Sequence, residues 1–195
     1  MGIRTDRLTK KFTAFIKRQP LFFVATAGAE GRVNVSPKGL DSLNVVNDQE
    51  IIWLSVSGSG NETAAHVLQN GRMTLMFCAF DGAALILRVY GTASVVYPSD
   101  KAWDSLSEHF PDYPGARNIF HVNIELVTTS CGTGVPEMSV TRTRAETELL
   151  PWYENLGEDG VKAFWAKKNR VSLDGLPTGL PADLPTDLPT DLPDA

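Results

Sequence analysis

Hydrophobic positions in this chain recur mostly at every second residue, in short runs separated by glycine, asparagine and aspartate. Residues 21–26 form an apolar, β-branched run, Ala27-Gly28-Ala29-Glu30-Gly31 has turn composition, and residues 32–37 alternate polar and apolar side chains. That order predicts a hairpin. Residues 43–46 and 51–55 flank Asn47-Asp48-Gln49, and residues 72–80 face residues 84–97 across Asp81-Gly82, giving two more antiparallel pairs. Gly91 inside the last run predicts a bulge or a tight bend. Phe120, Val122, Ile124 and Leu126 alternate with His121, Asn123 and Glu125, the pattern of a half-buried strand.

Helical spacing appears in four places. Leu8, Phe12, Phe15 and Ile16 share one face of an N-terminal helix, and residues 63–69 form a short helix stopped by Asn70-Gly71. Ser99 is placed to cap a helix carrying Trp103, Leu106 and Phe110, which Pro111 ends. Residues 146–168 read as helix in two pieces, one with Trp152 and Tyr153, the other with Val161, Phe164 and Trp165. Six or seven strands with short turns and few helices predict a mainly β (α+β) fold: an antiparallel six- or seven-stranded barrel with peripheral helices, rather than a doubly wound parallel sheet.

At 195 residues and 43% hydrophobic content, the chain supports one core. The expected organisation is an amphipathic helix over 1–19 packed on the barrel, a barrel domain over 20–130, a helical extension over 131–177 and a tail over 178–195. In the tail, Leu180-Pro181-Ala182-Asp183, Leu184-Pro185-Thr186-Asp187 and Leu188-Pro189-Thr190-Asp191 are near-identical and continue into Leu192-Pro193. A proline every fourth residue excludes regular helix and sheet and predicts an extended or disordered, dispensable tail.

The formal charge of -5 comes from the C-terminal end: from Asp174 onward there are five aspartates (Asp174, Asp183, Asp187, Asp191 and Asp194) and no lysine or arginine, and the remaining 18 acidic residues match the 18 lysines and arginines. A near-neutral body argues against a nucleic-acid surface driven by bulk charge. Arg4, Arg7, Lys10, Lys11, Lys17 and Arg18 are interleaved with the apolar face of the first helix, so they read as its solvated side. No apolar run reaches membrane-spanning length and no signal peptide is visible, so the protein is expected to be soluble and cytoplasmic, without a membrane role. Cys78 and Cys131 lie apart and are expected as two reduced thiols.

The chemistry centres on Ser57-Gly58-Ser59-Gly60-Asn61-Glu62-Thr63, a small-residue loop between a strand and a helix start. Such a loop leaves backbone N–H groups unpaired beside the positive end of the helix dipole, which is a place to hold a phosphate. Arg32-Val33-Asn34-Val35-Ser36-Pro37-Lys38-Gly39 reads as a strand ending in a cation. Gly58-x-Gly60 lacks the third glycine of a dinucleotide fingerprint, and no Gly-Lys-Ser/Thr follows, so neither a Rossmann site nor a P-loop is indicated. His66, His109 and His121 have no metal-ligand spacing, so no metal site is expected. No residue stands out as a general acid or base, and the catalytic residues are left open.

Phe22-Phe23-Val24-Ala25-Thr26 through Lys38-Gly39, then Gly58 to His66, Asn70 to Phe80, and Arg88-Val89-Tyr90-Gly91, taken in order, resemble the pyridoxamine 5'-phosphate oxidase-like flavoproteins. Cys131-Gly132-Thr133-Gly134-Val135-Pro136 and Ser172-Leu173-Asp174-Gly175-Leu176-Pro177 resemble the C-terminal signatures of one uncharacterised branch of that superfamily. The resemblance implies a split β-barrel homodimer with FMN at the subunit interface and a flavin-dependent oxidation or reduction of a small molecule. It implies cofactor-binding roles for Asn34, Val35, Ser36, Lys38, Ser59, Gly60, Asn61, Glu62, Thr63, Arg72 and Arg88. Phe77, Phe80 and Trp152 are candidate walls for the flavin ring, with core packing the ordinary alternative.

There are departures from the family pattern. Asn61, Glu62 and Thr63 stand where the oxidase that makes pyridoxal phosphate has Ser-Arg-Lys, Ile86 or Leu87 replaces its glutamine, and no Arg-x-His pair lies near the C-terminus. Two phosphate-pairing cations are gone, so Lys38, Arg72 or a partner-subunit arginine would have to compensate, and pyridoxamine phosphate is not the expected substrate. A non-catalytic flavin or haem binder and a deazaflavin-dependent reductase remain the alternatives.

Overall fold

The computed structural model describes residues 2–185. Eight strands and four helices follow in the order β1 (Arg4–Thr5), α1 (Lys10–Ile16), β2 (Phe22–Ala27), β3 (Val33–Lys38), β4 (Leu43–Val45), β5 (Glu50–Val56), α2 (Glu62–Asn70), β6 (Arg72–Cys78), β7 (Ile86–Val96), α3 (Trp103–Ser107), β8 (Ala116–Ser130) and α4 (Leu150–Lys168). One antiparallel sheet runs β3-β2-β6-β7-β8-β5-β4, with β1 paired to β8. The two ends of that order, β3 and β4, are not paired with each other, which splits the barrel. The sheet curls enough for Lys38 at the end of β3 to sit 5.7 Å from the ring centre of Trp53 on β5.

The curled sheet wraps one apolar core. Trp53 is fully buried at its centre, stacked on Phe120 at 4.4 Å and met edge-on by Phe22, and its indole N–H reaches the Met73 sulfur. Leu8, Phe12, Phe15 and Ile16 close one end of this core, with Thr9 capping α1 by accepting from the Phe12 N–H. On the outer face of β5 and β8, Ile52, Leu54 and Ile119 are covered by Trp103, Leu106, Phe110 and Tyr113.

The bulge expected at Gly91 is present, but two details differ from the sequence pattern. The pairing steps from Tyr90 opposite Leu126 to Gly91 opposite Ile124, so Glu125 is an extra residue in β8 and the inward phase shifts from Leu126 to Val127. Glycine is required on the other side of this bulge, because a Cβ at position 91 would lie 2.1 Å from the Asn123 carbonyl oxygen. The second difference is at α3, where Ser99 does not cap the helix: Ala102 occupies that position without a side-chain bond, while the Asp100 carboxylate accepts from the Tyr97 N–H and closes a turn ahead of the helix.

The C-terminal extension is two helical pieces, a π-helical turn (Ala145–Leu149) running into α4, which breaks at Gly157. Past α4 the chain stays on the body. Thr178 is fully buried, its hydroxyl donating to the Asn169 carbonyl and its own carbonyl accepting from the Tyr97 hydroxyl, and Leu180 and Leu184 pack on Tyr153, Val161, Phe164 and Trp165. Prolines do not prevent this, because side-chain burial needs no backbone ladder. The first part of the expected tail therefore docks, and the repeats beyond residue 185 lie outside the described residues.

Truncation after Gly179 removes two half-buried leucines and is expected to cost about 2 kcal/mol of stability. A urea titration checks this, and an unchanged midpoint would contradict the docking.

Candidate functional site

The loop of residues 57–61 is held from inside by its carbonyls. The Ser57 carbonyl accepts from the Tyr153 hydroxyl, the Gly58 carbonyl from Asn169 Nδ2 at 2.8 Å, and the Gly60 carbonyl from Arg117 Nη1 at 3.1 Å. In a trans peptide the next N–H points opposite to the carbonyl. The amides of Gly58, Ser59 and Asn61 are thereby turned away from the protein interior. Among the described residues, none of the N–H groups from 58 to 64 donates to a protein acceptor, and Asn61 precedes α2 without a side-chain cap. Donors and helix dipole converge at one place.

The base of the loop is anchored just as firmly. Ser57 donates its N–H and hydroxyl to the Gly115 carbonyl and receives the Trp165 indole N–H at 2.5 Å. Gly115 has a φ of +76°, and a Cβ there would sit 2.7 Å from the Tyr153 ring, so both conformation and space require glycine.

Two cations without counter-charges lie beside this loop. Arg117, 3% exposed, donates to the Gly60 carbonyl, to Asn169 Oδ1 at 2.7 Å and to the Ser55 hydroxyl at 3.3 Å, all neutral acceptors. Burial lowers its pKa to about 10. Lys38 is pushed down to about 8, by burial first and then by the charge of Arg117. Among the described residues neither cation has a carboxylate at ion-pair distance. The nearby phenols of Tyr97 and Tyr153 are raised to about 12 by burial and stay neutral.

Strand β3 turns its polar row inward. Asn34, Ser36 and Lys38 pair with Thr26, Val24 and Phe22 on the core side of β2, while Val33 and Val35 are 71% and 60% exposed. Asn34 Nδ2 donates to the Thr63 hydroxyl at the start of α2 and to Thr26, whose hydroxyl meets His66 Nδ1 at 3.1 Å. Buried polar atoms without protein partners cluster in these same segments: Ser36 Oγ, Asn61 Oδ1, Arg117 Nε and both amide atoms of Asn118. Such atoms call for a ligand or water.

The structure thus brings Asn34, Ser36, Lys38, Gly60, Asn61 and Thr63 around one region, with Ser59 exposed at the loop tip. The Glu62 carboxylate accepts from the Leu173 N–H but stays beside the loop, its Oε1 3.5 Å from where a Cβ on Gly60 would lie. Val35 can contribute only its backbone, since its side chain faces outward. Arg72 is not drawn in: it is exposed and donates to the Gly28 carbonyl. Arg88 is tied to Ser130 on the far strands. Phe77 is a core residue, 1% exposed and stacked on Phe22, and Trp152 packs against Tyr153 and Phe164.

Beside Lys38 opens a cleft of about 890 Å³, with walls that include Leu54, Val56, Gly58, Tyr113 and Leu149. It is large enough for a small organic molecule.

Arg117 and Asn169 were not visible as site residues in the sequence. The one available signal for Arg117 is a polar pair, Arg117-Asn118, opening a strand that otherwise alternates apolar and polar residues over 120–126. Asn169 at a helix end reads as an ordinary terminator.

The charge of Lys38 is a burden on the ligand-free fold. Its folded pKa near 8 lies below the model-peptide value of 10.5, so the unfolded chain binds more protons between these limits and stability rises with pH across that window. Lys38→Met should be more stable than wild type at pH 7, and the gap in melting temperature should close between pH 8 and 10.5. A gap independent of pH would place the ammonium in water. Arg117→Lys carries its donors on one nitrogen and cannot span acceptors that two guanidinium nitrogens now reach, so it should lose about 3 kcal/mol in chemical denaturation.

The pyridoxamine 5'-phosphate oxidase profile matches residues 8–131 of the chain. The pyridoxamine 5'-phosphate oxidase family protein ustO of Aspergillus flavus is 34% identical over 193 residues, covering 91% of this chain and 78% of its own. Among solved structures, a protein of Lactobacillus delbrueckii assigned to the same oxidases aligns with 26% identity and a TM-score of 0.51 over 65% of this chain and 97% of its own. HupZ of Group A Streptococcus shares the fold at 21% identity and a TM-score of 0.52, over 63% of this chain and 98% of its own. By profile and by relative alike, the chain belongs to the pyridoxamine 5'-phosphate oxidase family.

Proposed function

We propose that this protein is a homodimeric FMN-binding oxidoreductase acting on a small molecule other than pyridoxamine phosphate. The observation that carries the reading is the pair of cations, Lys38 and Arg117, without counter-anions beside a loop whose amides point outward. A phosphate dianion answers both features at once. Its holders would be Lys38, the amides of Ser59 and Asn61, and the side chains of Ser59 and Thr63, with backbone groups of residues 34–36 available to the ring edge. Arg117, rather than Arg72 or Arg88, is the cation that compensates for the missing Arg-Lys pair. When bound, FMN supplies the electron and hydride transfer, and the protein supplies position and electrostatics.

The cleft beside Lys38 supports a small-molecule substrate, and Asn61, Glu62 and Thr63 in place of the oxidase's Ser-Arg-Lys favour a substrate other than pyridoxamine phosphate. A dimer is supported by the exposed apolar row Val33 and Val35 on the terminal strand of the sheet, joined by Val171 and Leu173, 56% and 74% exposed, on the chain that Asp174 ties to Arg32. No described helix is long and apolar enough to cross a membrane, and both cysteines are free; the thiols support a cytoplasmic setting.

Titration with FMN and with riboflavin tests the reading. Wild type should prefer FMN and hold about one per chain after gel filtration. Lys38→Ala should weaken FMN by one to two orders of magnitude and leave riboflavin nearly unchanged, because only FMN carries the dianion. FMN affinity should fall above about pH 8 as free Lys38 loses its proton. Equal weakening of both ligands, or FMN that passes through the column unbound, would overturn it.

A further inference from the structure

We propose that Asn169 is a positioning residue of this phosphate site, acting through the Gly58 peptide and the Arg117 guanidinium. The proposal rests on the phosphate reading above, and its first test is made without any ligand.

Asn169 ends α4 and is completely buried. Its Nδ2 donates to the Gly58 carbonyl at 2.8 Å, its Oδ1 accepts from Arg117 at 2.7 Å, and its main-chain carbonyl accepts from Asn61 Nδ2 at 3.3 Å and from the Thr178 hydroxyl at 2.6 Å. One residue therefore touches the start of the loop, its end and the cation beneath it.

There is open space beside Gly58, where a Cβ would meet nothing within 4 Å, so no neighbouring side chain buttresses the loop there. The orientation of the Gly58 peptide depends on the hydrogen bond from Asn169, and the direction of the Ser59 N–H follows from that orientation. Preorganised donors bind an anion without reordering at the moment of binding. The segment after α4 closes on itself through the Val171–Pro177 bridge and is fastened to the body by Leu173 donating to Glu62 and by Asp174 accepting from Arg32. The C-terminal extension is in this way part of the site.

Asn169→Ala strips every side-chain contact and risks the fold, whereas Asn169→Asp keeps an acceptor for Arg117, sets an oxygen in place of the donor to Gly58 and adds a negative charge, so the order of the loop without ligand, not affinity alone, decides. In the full-length chain without flavin, labelled with 15N, wild-type Gly58 and Ser59 amides should be as ordered as those of α2, with order parameters near 0.85. In Asn169→Asp they should fall below about 0.6 and shift, with the sheet and α2 unchanged. Affinity for FMN should drop about tenfold or more, with riboflavin unaffected. Loop amides that remain ordered and unshifted in Asn169→Asp overturn the proposal, as does loosening of the loop with FMN affinity intact. A wild-type protein that fails to prefer FMN over riboflavin would instead refute the phosphate reading, while the amide measurement still decides whether Asn169 orients the loop.

Discussion

The structure depends on a buried guanidinium. Arg117 enters the interior from the start of β8 and meets three neutral oxygens, on Gly60, Asn169 and Ser55, without a carboxylate among the described residues. Those bonds offset part of the cost of removing a cation from water, and they tie three separate pieces of chain together: the end of β5, the loop before α2 and the end of α4. The uncompensated charge that remains is felt by Lys38, whose pKa it helps to lower. A fold built for stability alone would place an apolar residue or a carboxylate here. A cation held by neutral oxygens makes sense next to a site that receives an anion.

Around this charge the rest of the architecture has a common direction. The polar row of β3 faces inward, the Glu62 carboxylate is bonded by the Leu173 N–H, and the carbonyls of Ser57, Gly58 and Gly60 are turned to the protein so that the following amides face away from it. The same inversion leaves Val33 and Val35 on the outside, which couples an interior polar site to an exterior apolar surface on one strand. The helical extension supplies Tyr153, Trp165 and Asn169 to the loop, so the barrel does not shape the site by itself.

Much of this was legible in the residue pattern. Period-two runs locate the hairpins because a half-buried sheet demands alternation, and Gly58 and Gly60 between a strand and a helix mark the loop because only such a junction concentrates unpaired amides. Alternation does not say which row faces in, and β3 goes against the usual choice. The slip from Leu126 to Val127 was hidden because the bulge is set by close approach to Gly91 on another strand. Ser99 lost its capping role to a local turn at Asp100. Arg117 and Asn169 escaped notice because long-range hydrogen bonds, across 52 residues between these two, leave no local signature.

The central claim is that the loop and the two cations hold a phosphate dianion. The 31P resonance of FMN added in equal amount to the protein tests it directly. A free phosphomonoester titrates near pH 6. Held by Lys38 and the loop amides, with the charge of Arg117 beneath the loop, the bound phosphate should stay dianionic, with a single shifted resonance that does not titrate between pH 5 and 8. A bound flavin whose 31P signal titrates as in free FMN would put its phosphate in solvent and contradict the account.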